Sequence, residues 1–170
     1  YSQTIARVIW DDISITQAKY KFIYHRYSFN NFAGVLVSSR LKIPLVLEYN
    51  GSEVWIERNW GVNAGQGKLP QKIEMLNLQY AHLIVTVSEE LKKELCGRGL
   101  ESTKIIVCPN GVDTSLFNPD IQPLFNPKIH YFKDKIVFGF LGTFGPWHGT
   151  DLLVESFAKA CEISPDFRIN

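Results

Sequence analysis

Short, uninterrupted apolar runs recur along this chain, each set between stretches of helical periodicity, and that alternation limits the fold more than any other feature. The runs are Leu45-Val46-Leu47 (just after the helix-breaking Pro44), Leu83–Val87, Ile105–Cys108 and Ile136–Leu141. Runs this brief, with no polar alternation, read as strands of a parallel sheet covered on both faces. The first twenty residues carry Ile5, Val8, Ile9 and Ile13 near helical spacing, and Lys21–Tyr24 reads as a short strand. Ser28 offers an N-cap for a helix from Phe29 to about Lys42, with Phe32, Val35, Leu36 and Ser39 on one stripe. Further helices are predicted over Pro70–Ala81, after the cap Ser88-Glu89-Glu90, and over Thr150–Glu162. Gly97 or Gly99 closes the second of these; Pro165 ends the third, before a strand at Phe167–Ile169. The pattern predicts an α/β protein with a doubly wound parallel sheet.

Composition excludes several classes. Eighteen basic against seventeen acidic residues among 170 leave a formal charge of +1, so no nucleic-acid groove driven by phosphate neutralisation is expected. No apolar run approaches the ~18 residues that a membrane helix needs. Cys96, Cys108 and Cys161 are widely spaced, lack a C-x-x-C, and read as small buried hydrophobes in a reducing compartment rather than a zinc site or disulfide framework. The chain starts in helical material and stops as a strand begins, so an excerpt of a longer protein is expected. From Val112 to Lys135, Pro119, Pro123 and Pro127 sit among aperiodic polar pieces, as an interdomain linker would.

In open α/β sheets ligands bind beyond the carboxyl ends of the strands. That rule selects Arg26-Tyr27, Tyr49–Glu53, Ser88, Asn110-Gly111 and Gly142–Gly149. The last segment lies between a predicted strand and a helix, where glycines let backbone N–H groups close on a diphosphate; a plain tight turn is the alternative. Gly142-x-x-Gly145 is not a dinucleotide fingerprint, and Leu69 stands where a P-loop needs Ser or Thr, so both of those readings fail. His148 could donate to a phosphate or a sugar hydroxyl, and Arg26 could clamp an anion or merely be solvated. Trp55, Trp60 and Trp147 lie in or beside loops, where they could stack on a sugar ring or pack at an edge. His82 reads as a satisfied structural histidine.

Four segments together, Pro44–Trp55, Leu83–Glu90, Pro109-Asn-Gly-Val-Asp113 and Phe138–Gly149, resemble the retaining GT-B glycosyltransferases of family four. The run from Val87 to Pro119 carries the most specific order and spacing. The resemblance implies two Rossmann-like domains: residues 1–112 as an acceptor-side domain lacking its first strand, 113–134 as a linker, and 135–170 as the first βα unit of a nucleotide-sugar domain. It implies a donor diphosphate held by Gly142, Thr143, Phe144, Gly145 and His148, an acceptor side formed by Arg26, Gly51, Ser52 and Glu53, and Asn50 at a place where the family often has histidine. Trp147 and His148 stand where Arg and Lys are usual, and six residues separate Glu155 from Glu162 where the family pair has seven.

The expected protein is thus a fragment of a GT-B enzyme that moves a sugar from an NDP-sugar to a glycan or glycoconjugate acceptor. It would do so without a metal or other cofactor, in the cytoplasm, with no nucleic-acid partner and no transmembrane segment. Peripheral membrane association of the full protein is left open. The alternative is a non-catalytic nucleotide-binding or interaction module on the same scaffold. The isolated fragment is expected to be inactive.

Overall fold

A computed structural model describes residues 1–61, 67–121, 138–145 and 148–163. The chain divides into two compact units, Tyr1–Val112 and Asp113–Asn170. The first holds α1 (Ser2–Thr16), β1 (Ile23–Arg26), α2 (Ala33–Leu41), β2 (Leu45–Glu48), α3 (Glu53–Trp60), α4 (Leu69–Tyr80), β3 (Leu83–Thr86), α5 (Glu89–Gly97), a 3-10 turn (Ser102–Lys104) and β4 (Ile105–Val107). The second holds α6 (Thr150–Ile163).

The four strands form one parallel sheet in the order β1-β2-β3-β4. This is an α/β fold with a parallel sheet flanked by helices, of the Rossmann-like kind. Pro44 ends the approach to β2, and its carbonyl accepts from Ile23 N–H at 2.8 Å, tying the starts of β1 and β2 together. The core lies on one face, where Leu78 of α4 and Leu95 of α5 pack with Leu47, Tyr49, Ile84 and Ile105. Burial alternates along the strands: Leu45 and Leu47 are fully enclosed, but Val46 and Glu48 beside them are only half-buried. Tyr24, Arg26 and Ile106 are exposed on that second face. The expected cover on both faces is therefore absent there among the described residues, because α2, α4 and α5 cross between successive strands and pack on the core side.

Local signals explain several ends. Ser88 caps α5, its Oγ accepting from Leu91 N–H at 3.2 Å, with Glu89 and Glu90 in the first turn. Gly99, at φ +90°, follows α5 as the left-handed closing residue; Gly97 lies inside the helix. Ser28 does not cap α2. That helix starts at Ala33, whose N–H is taken by Asn31 Oδ1 at 3.0 Å, while Ser28 Oγ accepts from the Asn31 amide instead. Its buried positions are Ala33, Gly34, Val35, Val37 and Ser38, a face wider than the expected stripe because α1 and β1 both pack on the helix; Ser39 lies outside it and is exposed.

Trp55 in the first turn and Trp60 at the last position of α3, a helix with no expected counterpart, lie beside its flanking loops, and their rings meet edge-to-face at 4.7 Å. Cys108 is exposed beyond β4 and Cys161 is half-buried, so neither is the buried residue expected, whereas half-buried Cys96 packs against the core cluster. His82 is exposed, yet its Nδ1 accepts from Leu45 N–H at 3.2 Å. Phe138–Leu141 forms no strand; Ile136, Trp147, Pro165 and Phe167–Ile169 lie outside the described residues. No helix among the described residues is long and apolar enough to cross a membrane.

Gly34 is held to glycine by His25. A Cβ there would stand 2.6 Å from His25 Nδ1 and 2.8 Å from its Cγ. Gly34→Ala is expected to cost about 1–3 kcal/mol in overpacking, of which the better helix propensity of alanine returns about 0.5–1 kcal/mol. A lowered urea midpoint with an unchanged slope would report this.

The His25 ring is closed in, neither nitrogen has a hydrogen-bond partner among the described residues, and burial holds its pKa below the ordinary histidine value. The unfolded chain takes up the proton near pH 6.5, whereas the folded state resists it. The stability that the neutral ring contributes is complete above about that pH and is lost as the pH falls below it. His25→Gln is expected to flatten the fall in urea midpoint between about pH 7.5 and pH 5.5. An unchanged fall would assign the titration to another group.

Candidate functional site

The strand ladder of the first unit runs on past the strands themselves. Tyr27 N–H donates to Glu48 O at 2.9 Å, Tyr49 N–H to Val85 O at 2.8 Å, and Cys108 N–H to Thr86 O at 2.7 Å. The chain therefore leaves all four strands at one level, and the segments selected from sequence, Arg26-Tyr27, Tyr49–Glu53, Ser88 and Asn110-Gly111, follow those ends. On the open face, Glu48 gathers its neighbours. Asn50 Nδ2 donates to its Oε1 at 2.9 Å, Tyr24 Oη donates to its Oε2 at 2.9 Å, and Arg26 Nε lies 3.5 Å from Oε1. The Asn50 amide first, then the Tyr24 hydroxyl and the Arg26 guanidinium, hold the Glu48 carboxyl below its ordinary range, while donation to that carboxylate raises Tyr24. Arg26 and Asn50 are thus brought together by a residue that the sequence reading did not single out. Arg26 clamps a carboxylate of its own protein.

On the core face, the loop after β2 is tied down by an ion pair. Glu74 of α4 is 2% exposed, and its Oε1 accepts from Arg98 Nη2 at 2.6 Å. Arg98 Nη1 donates to the Tyr49 hydroxyl at 3.1 Å, and Ser52 Oγ donates to the Glu74 carboxylate at 2.9 and 3.2 Å. Ser52 is also the N-cap of α3, its Oγ accepting from Trp55 N–H at 3.1 Å. Gly51 bridges these anchored residues at φ +142°, in the region that disfavours a side chain, although open space surrounds the position of a Cβ. Glu53 falls in the first turn of α3, where a carboxylate suits the helix dipole.

Burial, and then Glu74, push the Tyr49 phenol up to about 12. Burial lowers Arg98, but Glu74 and Tyr49 more than offset it, so its pKa is raised and it stays charged. Tyr27 stacks at 5.6 Å from Tyr49, and its buried hydroxyl has no partner among the described residues; burial raises its pKa strongly. Glu74 and Arg98 were not foreseen, and Tyr49 was selected only as a strand-end position. The available signal was a carboxylate on the same helical stripe as Asn77, Leu78 and Ala81, all of them buried.

In the second unit, Gly142–Gly145 is an exposed irregular segment before α6, with only Gly145 half-buried. The rings of Phe144 and His148 each lie 5.6 Å from that of Phe140. His148 Nδ1 meets the Thr143 carbonyl, which can only accept, so this nitrogen carries the proton and is engaged within the segment. His148 N–H donates to Gly145 O at 2.9 Å. Gly149, at φ +61°, turns the chain into α6. Gly142 itself has no left-handed φ.

A parallel α/β sheet with polar side chains gathered at its strand ends places the chain in the Rossmann-like class of folds. Within that class, the chain belongs to Glycosyltransferase Family 4, whose model matches residues 6–116 and so takes in the whole sheet. It is 29% identical over 86 residues to a D-inositol 3-phosphate glycosyltransferase of Kribbella flavida, covering 51% of this chain and 20% of the relative. It is 21% identical over 157 residues to a D-inositol 3-phosphate glycosyltransferase of Segniliparus rotundus, covering 89% of this chain and 34% of the relative. The chain therefore spans between a fifth and about a third of the length of these relatives.

Proposed function

We propose that this chain is part of a retaining GT-B glycosyltransferase that transfers a sugar from an NDP-sugar to a glycan or glycoconjugate acceptor. Family membership across the sheet carries this reading. Residues 1–112 form the acceptor side, 113–134 the linker, and 135–170 the start of the donor domain. Arg26, Gly51, Ser52 and Glu53 face the acceptor, with Asn50 nearest the reacting sugar. Gly142, Thr143, Phe144, Gly145 and His148 flank the donor diphosphate, whose developing charge is met by backbone N–H groups rather than by a metal. The enzyme works in the cytoplasm, and the 170-residue chain alone is inactive because residues 135–170 are too few to build a nucleotide pocket.

The relatives' name supplies the first acceptor to assay, D-inositol 3-phosphate. Full-length enzyme offered a panel of NDP-sugars should transfer sugar, and Asn50→Ala should lower kcat several-fold while leaving donor KM near the parent value. Asn50 already donates to Glu48, so its loss takes one donor from that carboxylate, which keeps Tyr24 and Arg26, as well as removing the amide. An Asn50→Ala enzyme with parental kcat would remove Asn50 from the site. The amide of Asn50, which cannot serve as a base, favours a second reading, a non-catalytic nucleotide-binding or interaction module on the same scaffold. That reading predicts no turnover on any acceptor, whether or not an NDP-sugar binds.

A further inference from the structure

The loop Tyr49–Glu53 is held at two points by one ion pair, its carboxylate buried and its guanidinium half-buried. Its first residue is reached by Arg98 Nη1 at 3.1 Å, and its fourth by Glu74 at 2.9 Å; the same Glu74 is gripped by Arg98 Nη2 at 2.6 Å. Between the two anchors, Asn50 is exposed and Gly51 half-buried. We propose that Arg98 is a positioning residue: its planar fork, seated on Glu74, fixes this loop from both ends and so sets the geometry that Asn50 and Gly51 present. The inference rests on the acceptor-side reading of the loop for its consequence in turnover, but not for the tether itself. A guanidinium is required because two donors must point in fixed directions at once, one to a phenol and one to a carboxylate. The ammonium of a lysine could keep the ion pair with Glu74, but it has no fork with which to hold Tyr49 as well.

The test compares Arg98→Lys, Tyr49→Phe and the double variant in the 170-residue chain. Amide hydrogen exchange is read at Trp55 and Ile56, whose N–H groups bond to Ser52 Oγ and Ser52 O. Arg98→Lys and Tyr49→Phe are each expected to speed exchange there by about tenfold, the equivalent of one net hydrogen bond. The double variant should be no faster than either single one, because both remove the same tether, and the strand amide of Tyr49, bonded to Val85 O, should be unchanged. If both single variants leave Trp55 and Ile56 within twofold of the parent, or if lysine fully replaces arginine, the tether is overturned and the pair only ties α4 to α5. In the full-length enzyme, Arg98→Lys should raise acceptor KM several-fold with donor KM unmoved. Faster loop exchange with an unmoved acceptor KM would uphold the tether and defeat the acceptor-side reading of the loop.

Discussion

Arg98→Met is expected to destabilise the first unit by about 3–5 kcal/mol, because it leaves a buried carboxylate uncompensated. Glu74 is 2% exposed and cannot turn to water, and its remaining partner, Ser52, supplies one neutral donor. A loss of that size is a large fraction of the roughly 5–15 kcal/mol that holds an ordinary domain together. The reverse change is predicted to be milder. Glu74→Gln leaves Arg98, whose side chain is 26% exposed and lies 3.8 Å from Glu94, so its charge keeps both solvent and a second carboxylate. Urea unfolding followed by circular dichroism should therefore rank Arg98→Met well below Glu74→Gln. Replacing both residues by methionine should recover much of the loss, since a matched apolar pair carries no uncompensated charge. Equal penalties for the two single variants would contradict this asymmetry. If Arg98→Met fails to fold, the Glu74→Gln midpoint and that of the double replacement still decide it.

The elements that could be read from sequence were those fixed by neighbours in the chain. Pro44 before Leu45-Val46-Leu47, and Ser88 before Glu89-Glu90, are signals that span a few residues, and both β2 and the α5 cap stand where they indicate. α3 was hidden because its support is distant. Only Val54 of this helix is buried, and its N-cap Ser52 is held by Glu74, 22 positions away. Ser28 misled for the complementary reason: a good capping residue was present, but Asn31 took the role because Asn77 and Ser2, far along the chain, fix the segment around Asn31. The site divides in the same way. Strand ends could be located from the short apolar runs, so Arg26 and Asn50–Glu53 were found as positions. What those side chains touch depends on parallel register, which pairs Arg26 with Glu48 and lies beyond any local pattern. The Glu74–Arg98–Tyr49 network closes over separations of 24 and 49 residues.

If residues 142–148 hold the donor diphosphate as proposed, Gly142→Val in the full-length enzyme should cut turnover by roughly a hundred- to a thousandfold, the loss seen when one hydrogen-bond donor is taken out of reach of developing negative charge. The effect at Gly142 is steric rather than conformational. A Cβ there would stand 3.1 Å from Phe140 Cζ and 3.6 Å from His148 Cε1, so a branched side chain must displace the aromatic group formed by Phe140, Phe144 and His148. That displacement would carry the Thr143 carbonyl with it, because His148 Nδ1 is bonded there. Gly149→Ala separates the two mechanisms. Nothing lies within 4 Å of its Cβ position, but its φ of +61° would cost an L-residue about 1–2 kcal/mol. It should weaken the start of α6 while leaving the cradle's backbone in reach of a diphosphate. His148→Ala should cost less than Gly142→Val, since it removes one brace and leaves the N–H groups. The measurement is kcat and donor KM for the three variants, each with the parent's circular dichroism. If folded Gly142→Val keeps the parent's kcat and donor KM, the segment is an ordinary turn before α6, and the diphosphate must be held by residues elsewhere.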